Sequence, residues 1–405
     1  MTEFIRRPGA GEGSAEPVPA LAPAPGTSRG PHLPGPDDPS SAAEDRLEAD
    51  VEGGTPPTSL GKRFFRPQTL ISFAIALGIA VFFFLRLDID PQQVWANVRE
   101  TNPFIYALAF AVFYGGFIIR AIRWRSMLSR VGIDERHGYR MPTMPRFLEI
   151  YLISWFANCI VPAKLGDAVR SYLFKQDTRA PFSSTLGTIL TERLIDLIAL
   201  FLAMVTAAII VFGTHLPGQA SNAVIGGVAL LGVGAVGLAV LWLMRDRVEQ
   251  MLPERLREQY TRLHGAIFAS LRRPERFLGI GFVIWVSEGL RLWFVCIALG
   301  ADITFAMAIF VALMASLLTA LPFTPAGLGV VEGGMTVILT STVIGVAPDM
   351  ALAITLLDRV IGYWSIIAVG LVLYLLRIRR EISQTARVDG SVATNRPVDQ
   401  AGPAD

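Results

Sequence analysis

Hydrophobic residues in this chain are concentrated in nine stretches separated by polar segments. The stretches are 68–87, 103–121, 147–163, 184–213, 221–244, 277–299, 304–321, 334–347 and 352–376. A helix needs roughly 20 apolar residues to cross the hydrocarbon core of a bilayer, and most of the stretches reach or approach that length while two are short. The pattern predicts an all-α, polytopic membrane protein.

Basic residues indicate which side of the membrane each polar segment occupies, because cytoplasmic loops carry an excess of lysine and arginine. The segments before residue 68, after residue 121, at 245–276 and after residue 376 are rich in these residues. The segments 88–102, 214–220 and 300–303 carry few or none. Both termini are therefore expected in the cytoplasm.

Two of the hydrophobic regions are interrupted by the same helix-breaking phrase. Pro-Ala-Lys-Leu-Gly-Asp occupies 162–167, and Pro-Ala-Gly-Leu-Gly occupies 325–329. Each phrase precedes an acid–arginine pair by about thirty residues, first Glu192-Arg193 and then Asp358-Arg359. Paired breaks in corresponding places are typical of transport sites near the bilayer midplane. The predicted break residues are Pro162, Gly166, Pro322, Pro325, Gly327 and Gly329.

The loop charges limit how many stretches cross the membrane. The loop charges place residue 146 inside and residue 214 outside. Two full crossings between them would return the chain to the inside, so the short, broken stretch 147–175 is interpreted as a re-entrant hairpin. The region 304–347 begins and ends outside, as two full crossings or as a second hairpin. The sequence allows six full spans plus two hairpins, which makes the halves an inverted repeat, or eight spans.

Charged residues inside membrane segments are costly and mark functional sites by default. Arginine keeps its charge when buried and binds phosphate through a planar fork, so a phospholipid or lipid-phosphate headgroup is the expected ligand. The alternative is that these residues form internal ion pairs that hold helices together. The predicted headgroup-binding residues are Lys164, Asp167, Arg170, Glu192, Arg193, Asp196, Glu332, Asp358 and Arg359.

Other polar and aromatic residues have structural interpretations. Glu288 and Arg291 are three residues apart near the middle of 277–299, and they are expected to form an intramembrane ion pair. Arg123-Trp124 and Trp293 are expected to anchor segments at the membrane interface. The glycines of 327–334 either expose backbone N–H groups to an anion or allow close helix packing, and both alternatives stay open.

Composition excludes several classes of protein. Apolar residues make up 52% of the chain and its mean hydropathy is +0.48. Both cysteines lie in hydrophobic stretches and no histidine does, so neither a disulfide framework nor a metal site is expected. The glycine runs are not followed by the GKS or GKT of a nucleotide-binding loop. We expect no cofactor and no nucleic-acid partner.

The two ends of the chain differ from its middle. Residues 1–60 are rich in Pro, Gly, Ala and Ser without an apolar period, and residues 381–405 are polar. Such segments cannot bury a core and are expected to be disordered. Residues 61–380 form the predicted transmembrane domain.

In the order of its motifs the chain resembles the lysylphosphatidylglycerol synthase transmembrane-domain family, also called flippase-like membrane proteins. The matching residues, over about 62–380, are Arg123-Trp124, Leu128, Asn158, Pro162, Gly166, Asp167, Arg170, Glu192-Arg193, Asp196, Pro322, Pro325, Gly327, Gly329, Glu332 and Arg359. The first phrase commonly reads Gly-Glu in this family and reads Gly-Asp here. The resemblance implies a bacterial-type inner-membrane protein that moves or handles lipids.

Three functions are compatible with the sequence. The main expectation is a flippase-like lipid transporter in which arginines bind an anionic headgroup. Some members of the family carry a soluble aminoacyl-transferase domain, but only about 25 polar residues follow the last span here, so synthase activity is not expected. The alternatives are a membrane-embedded lipid-modifying enzyme that uses the carboxylates as acid and base, or a non-catalytic membrane partner of a lipid synthase or glycosyltransferase.

Overall fold

The computed structural model describes residues 89–160, 165–213, 218–272, 274–320, 327–341 and 344–394, together with residues 78 and 82. The predicted tail 1–60 and nearly all of the predicted span 68–87 lie outside the described residues. The predicted site and break residues that also lie outside them are Pro162, Lys164, Pro322 and Pro325.

The regular secondary structure of the described residues is entirely helical. The helices are α1 (Pro91–Arg99), α2 (Pro103–Arg130), α3 (Met144–Ile160), α4 (Gly166–Thr178), α5 (Phe182–Phe212), α6 (Gly218–Leu243), α7 (Arg245–Met251), α8 (Glu254–Ser270), α9 (Glu275–Ala298), α10 (Phe305–Ala320), α11 (Val330–Thr340), α12 (Pro348–Arg359) and α13 (Ser365–Thr394). A short 3-10 turn at Glu135–His137 follows α2, and a wide π-helical turn at Val360–Trp364 joins α12 to α13.

Within the part of the chain that the structure describes, five helical segments are long and apolar enough to cross a bilayer. The segments are Pro103–His137, Phe182–Phe212, Ile225–Leu243, Glu275–Ala298 and Pro348–Arg380. Each contains most of one of the stretches that hydropathy predicts to cross. The chain is an integral, multi-pass membrane protein, and the predicted all-α polytopic class is confirmed.

The central pair of spans, α2 and α9, is antiparallel. At one end of the molecule the Arg130 guanidinium donates to the carbonyl oxygen of Arg272. At the other end the backbone N–H of Asn102 donates to the carbonyl oxygen of Ala298 at 2.8 Å. The Asn102 side chain also caps α2 by accepting from the first N–H groups of the helix, which fixes where this span begins.

The first broken region forms a helical hairpin, because α3 and α4 pack against each other. Arg146 near the start of α3 binds Asp177 near the end of α4, with Nε–Oδ2 and Nη2–Oδ1 distances of 2.6 and 2.9 Å. Arg377 of α13 donates to the same carboxylate at 2.9 Å. The hairpin therefore enters and leaves at the end where the last span finishes. We call this end, marked by Arg146, Asp177 and Arg377, the basic end.

The second broken region, α10 and α11, starts from the opposite end. Phe305 at the start of α10 packs on Trp293 near the end of α9, with ring centroids 5.6 Å apart. The following helix α12 also begins there, because its Asp349 accepts the backbone N–H of Asp90 at 2.8 Å. With 11 residues, α11 spans about 16 Å of a hydrocarbon core roughly 30 Å thick. Among the described residues, the short α11 therefore favours a second hairpin over two further full crossings.

Equivalent elements of the two halves make equivalent contacts. The hairpin helix α3 packs on α13, and its counterpart α10 packs on α5. Likewise α4 contacts α5, and α11 contacts α12. Because α5 begins at the basic end and α13 finishes there, the halves run in opposite directions. This arrangement agrees with the predicted inverted repeat.

The junction of α3 and α4 is packed too tightly for a side chain. A Cβ atom at Gly166 would lie 2.0 Å from the carbonyl oxygen of Ser154 and 2.6 Å from Cγ of Asn158. The backbone N–H of Gly166 donates to Asn158 Oδ1 at 2.8 Å. This close approach fixes the start of α4 and thereby the position of Asp167, the next residue.

The last helix continues past the predicted end of the transmembrane domain. It extends to Thr394, and residues 395–405 lie outside the described part of the chain. The helix therefore enters the segment 381–405, while the division of the chain into one domain and two tails stays a prediction.

The opposite directions of the two hairpins can be tested by thiol labelling. We expect a membrane-impermeant maleimide to label Arg179→Cys only from the side of the basic end and Ala347→Cys only from the other side. Both positions are exposed, and the native Cys159 and Cys296 are buried, so the unsubstituted chain is the control. Labelling of both positions from one side would contradict the arrangement.

Candidate functional site

Two networks of charged residues lie inside the bundle, and the first is centred on Arg123 of α2. This side chain is fully buried. Its Nη1 donates to Oδ1 of Asp196 at 2.6 Å, and its Nη2 donates to Oδ2 of Asp196 at 2.9 Å and to Oε1 of Glu192 at 3.2 Å. Both acids stand on one face of α5, four residues apart. Charge-assisted pairing of this kind removes the cost of burying the guanidinium in a dry environment.

Arg170 of α4 completes this network from the first hairpin. Its Nη2 donates to Oε2 of Glu192 at 2.6 Å. Its guanidinium carbon lies 3.8 Å from the ring centroid of Trp124 and 3.9 Å from that of Tyr151. The Tyr151 hydroxyl donates to the same carboxylate. A cation between two aromatic faces is stabilised by both rings, so Arg170 is held rigidly and faces the protein interior.

An outer pair, Asp167 and Arg193, extends the first network toward water. Nε of Arg193 lies 3.0 Å from Oδ2 of Asp167, and Nη2 lies 2.7 Å from Oδ1. This is a bidentate fork between α5 and the first turn of α4. The Arg193 side chain is 38% exposed, in contrast to the buried arginines beside it. We call Arg123, Arg170, Glu192 and Asp196, with this outer pair, the first network.

The second network is built around Arg291 of α9. Its Nε lies 3.2 Å from Oε2 of Glu288, and its Nη1 donates to a carboxylate oxygen of Asp358 on α12. Arg120 of α2 donates from Nη2 to the other oxygen of Glu288 at 2.8 Å. All four side chains are at least nine-tenths buried.

A second outer pair, Glu332 and Arg359, connects α11 to α12. Nε of Arg359 donates to Oε1 of Glu332 at 2.7 Å. The other oxygen of Glu332 accepts the backbone N–H of Gly329 at 2.6 Å and so caps α11. Arg359 lies with its guanidinium carbon 5.3 Å from the Tyr363 ring and is only 9% exposed. Arg120, Glu288, Arg291 and Asp358, with this pair, form the second network.

The two networks contain the same pattern of ion pairs between equivalent elements. In each half a central-span arginine binds the acid of the acid–arginine pair, Arg123 with Glu192 and Arg291 with Asp358. In each half the arginine of that pair binds an acid of the hairpin's second helix. Each network contains three arginines and three carboxylates, so each is neutral among the described residues. This balance is the electrostatic counterpart of the inverted repeat.

The wide turn after α12 is held by side chains from the central spans. The Tyr106 hydroxyl donates to the carbonyl oxygen of Leu357 at 2.9 Å, and Nη1 of Arg291 lies 3.3 Å from that of Asp358. A π-helical turn displaces the regular backbone hydrogen bonds, which leaves carbonyls of the preceding turn available to such donors. The turn therefore sets the direction of α13 relative to Arg359.

Comparison with known proteins identifies the group to which this architecture belongs. The family described as lysylphosphatidylglycerol synthase TM region matches residues 70–370. The chain belongs to this family. The family membership predicted from the motifs is confirmed.

Relatives of this family member include proteins from archaea. A UPF0104 membrane protein of Methanocaldococcus jannaschii is 29% identical over 222 residues, covering 55% of this chain and 94% of that protein. A UPF0104 membrane protein of Methanothermobacter thermautotrophicus is 24% identical over 320 residues, covering 73% and 92%. The glycosyltransferase AglD of Haloferax volcanii is 24% identical over 342 residues, covering 74% of this chain and 53% of that protein.

In this family member the predicted site residues do not form one cluster. Asp167, Arg170, Glu192, Arg193 and Asp196 come together in the first network. The predicted residues of the second half, Glu332, Asp358 and Arg359, lie in the second network with the Glu288–Arg291 ion pair, while Lys164 lies outside the described residues. Their role in binding a headgroup stays a prediction.

Sequence reasoning missed the arginines of α2. The expectation that Arg123 and Trp124 anchor the membrane interface is wrong, because both are fully buried and α2 continues to Arg130 rather than ending near residue 121. Trp124 donates from its indole to Thr188 Oγ1 at 3.2 Å. The three-residue spacing of Arg120 and Arg123 places both on one helix face, and that is the signal from which a role inside the bundle could have been inferred.

The described residues contain no group of three or more His, Cys, Asp or Glu side chains arranged to hold a metal ion. Every carboxylate of the two networks is instead paired with an arginine. The chemistry this arrangement offers is exchange of ionic partners, because an arginine held by a carboxylate presents the same planar fork to a phosphate.

Arg170 provides a test of the first network. We expect Arg170→Met to lower the free energy of unfolding by about 3–5 kcal/mol, because it leaves the buried Glu192 with one arginine fewer. The matched control is Arg125→Met, which removes an exposed pair with Glu135 at 3.3 Å and should cost less than about 1 kcal/mol. Thermal denaturation in detergent micelles measures both, and equal losses would contradict the proposed burial energetics.

Proposed function

We propose that this protein is a lipid transporter of the flippase-like type, which handles the phosphate of an anionic phospholipid or lipid-phosphate headgroup. The observation that carries the proposal is the partly exposed Asp167–Arg193 pair within the membrane region, whose side chains are 17% and 38% exposed. Arg193 lies 11 residues after the start of α5, which corresponds to roughly 16 Å along the helix. A charged group at such a depth avoids hydrocarbon and faces a water-filled cavity.

The surroundings of Arg193 suit a lipid rather than a soluble anion. Leu190, one turn earlier on α5, is exposed, and so is Leu165 at the start of α4. Exposed apolar side chains beside an ionic pair match a ligand that has a charged head and hydrocarbon chains. The head would bind Arg193 while the chains stay in contact with the leucines and the bilayer.

Binding would proceed by exchange of partners. The fork of Arg193 is occupied by Asp167 in two parallel hydrogen bonds. A phosphate has the same spacing of oxygen atoms and can replace the carboxylate with little loss of hydrogen bonding. The buried arginines beside it keep their own acids, so the helices stay in place while the outer pair opens. The absence of a nucleotide-binding loop from the sequence favours downhill or ion-coupled movement of the lipid.

The sidedness of the protein follows from its charges. The basic end carries the arginines and lysines of the loops, and this excess is typical of the cytoplasmic face. The protein would accordingly lie in the inner (plasma) membrane with both termini in the cytoplasm. The first hairpin would then open to the cytoplasm and the second to the outside.

The transport proposal predicts a specific effect of Arg193. We expect Arg193→Gln to slow translocation of a fluorescent phospholipid in proteoliposomes at least about tenfold, because a charged hydrogen bond to phosphate contributes about 1.5–3 kcal/mol. Arg125→Gln, in the exposed pair with Glu135, is the matched control and should keep the wild-type rate. Equal rates for both variants, or a wild-type rate no higher than that of empty liposomes, would refute the proposal.

One comparison supports a second candidate function, that of a membrane partner for a glycosyltransferase. The match to the Haloferax volcanii glycosyltransferase AglD covers 53% of that protein, so a protein with a glycosyltransferase name contains a region like this chain together with further sequence. This chain would then support an enzyme supplied separately. Affinity purification in mild detergent tests the idea, and recovery of a glycosyltransferase at equal stoichiometry would favour it over independent transport.

A further inference from the structure

The central spans of the two halves, α2 and α9, are joined inside the bundle by the Arg120–Glu288 ion pair of the second network. Nη2 of Arg120 lies 2.8 Å from Oε1 of Glu288, and both side chains are more than nine-tenths buried. The other described ion pairs between the two halves join Arg377 to Asp177 and Arg380 to Glu149, and they lie at the basic end. Arg120–Glu288 is therefore the direct electrostatic link between the interiors of the halves that the described residues provide.

The pair occupies equivalent positions of the inverted repeat. Arg120 stands three residues before Arg123, the arginine that holds the acids of the first half. Glu288 stands three residues before Arg291, the arginine that holds the acid of the second half. A contact between two equivalent positions lies on the axis that relates the halves. The link thus joins the central span of the first half to the second network.

Arg120 also touches the first hairpin. Its guanidinium carbon lies 5.3 Å from the ring of Trp155 on α3 and 5.7 Å from that of Phe117 on α2. The helix α3 also carries Tyr151, which donates to Glu192. A displacement of α3 therefore moves both a donor of the first network and the aromatic support of Arg120.

Glu288 connects Arg120 to Arg291 in the second half. Its second oxygen lies 3.2 Å from Nε of Arg291, which in turn binds Asp358, the residue before Arg359. A glycine makes room for Arg120, because a Cβ at Gly116 would lie 3.1 Å from its Nη1. The path runs through side chains in contact from Trp155 to Asp358, and Arg359 follows Asp358 in the chain.

We propose that Arg120 and Glu288 are positioning residues that couple the two halves, so that opening of one outer pair changes the exposure of the other. The biological role of this coupling rests on the proposed lipid transport. The coupling itself is a property of the fold and can be measured without a transport assay. Removal of Glu288 alone leaves the buried Arg120 without the carboxylate it binds and destabilises the fold. The informative variant is the neutral double substitution Arg120→Gln with Glu288→Gln, which keeps a polar contact and unpairs no charge between these two positions.

The test changes Arg193 in the first half and measures the labelling rate of a cysteine in the second half. Leu356 is exposed one turn before Arg359, so Leu356→Cys reports on the second outer pair through its rate of maleimide labelling. We expect Arg193→Gln to change that rate about 5-fold or more when Arg120 and Glu288 are present. The same substitution should leave the rate unchanged in the neutral double variant. A matched control, Arg125→Gln, should have no effect in either background.

A conservative variant separates coupling from a merely structural role. Arg120→Lys keeps a cation beside Glu288 and leaves the Glu288–Arg291 pair in place. We expect Arg120→Lys to keep the response of the Leu356→Cys thiol to Arg193→Gln. Thermal denaturation of each variant shows whether it is folded.

Three results would overturn the coupling. They are an unchanged labelling rate in the native background, an equal response in the neutral double variant, and a folded Arg120→Lys variant without a response. Failure of lipid translocation by the wild-type protein, with the labelling response intact, would refute the proposed function and leave the coupling in place.

Discussion

Neutralisation of charge away from water is the constraint on which the structure depends. A charged side chain at the centre of a bilayer costs at least about 2.5 kcal/mol, so each one must meet a counter-charge when the helices pack. Six arginines and six carboxylates of the membrane region do so among the described residues, and all but one of their ion pairs join two different helices. The pairing therefore selects which helices touch, which apolar surfaces alone cannot do in lipid.

The two halves satisfy this constraint with different residues. Four positions after the acid of the acid–arginine pair, the first half has Asp196 and the second half has Gly362. The missing carboxylate of the second half is supplied from α9 by Glu288. The repeat is thus preserved as a balance of charge and as a pattern of helix contacts rather than residue by residue.

Charge inside the membrane is weak support for ligand binding when it is considered alone. Most of the charged groups are fully enclosed and paired, and their arrangement is sufficient to explain them as elements that hold the bundle together. Arg193 differs because its side chain is 38% exposed and its guanidinium binds the carboxylate of Asp167 through two hydrogen bonds. Partial exposure within the membrane region, rather than charge there, distinguishes Arg193 as the position at which we propose that a lipid headgroup replaces a protein carboxylate.

The sequence by itself determined the all-α class, the positions of the described spans, the two broken regions and the family, because hydropathy, helix breakers and loop charges act locally along the chain. Pairing of charges was decided by the tertiary structure. Hydropathy placed Arg123 beyond the end of its span, and its partners Glu192 and Asp196 are 69 and 73 residues away along the sequence. Only the packing of α2 against α5 brings them together, and the packing of the helices buries Arg170 while it leaves the Arg193 side chain 38% exposed.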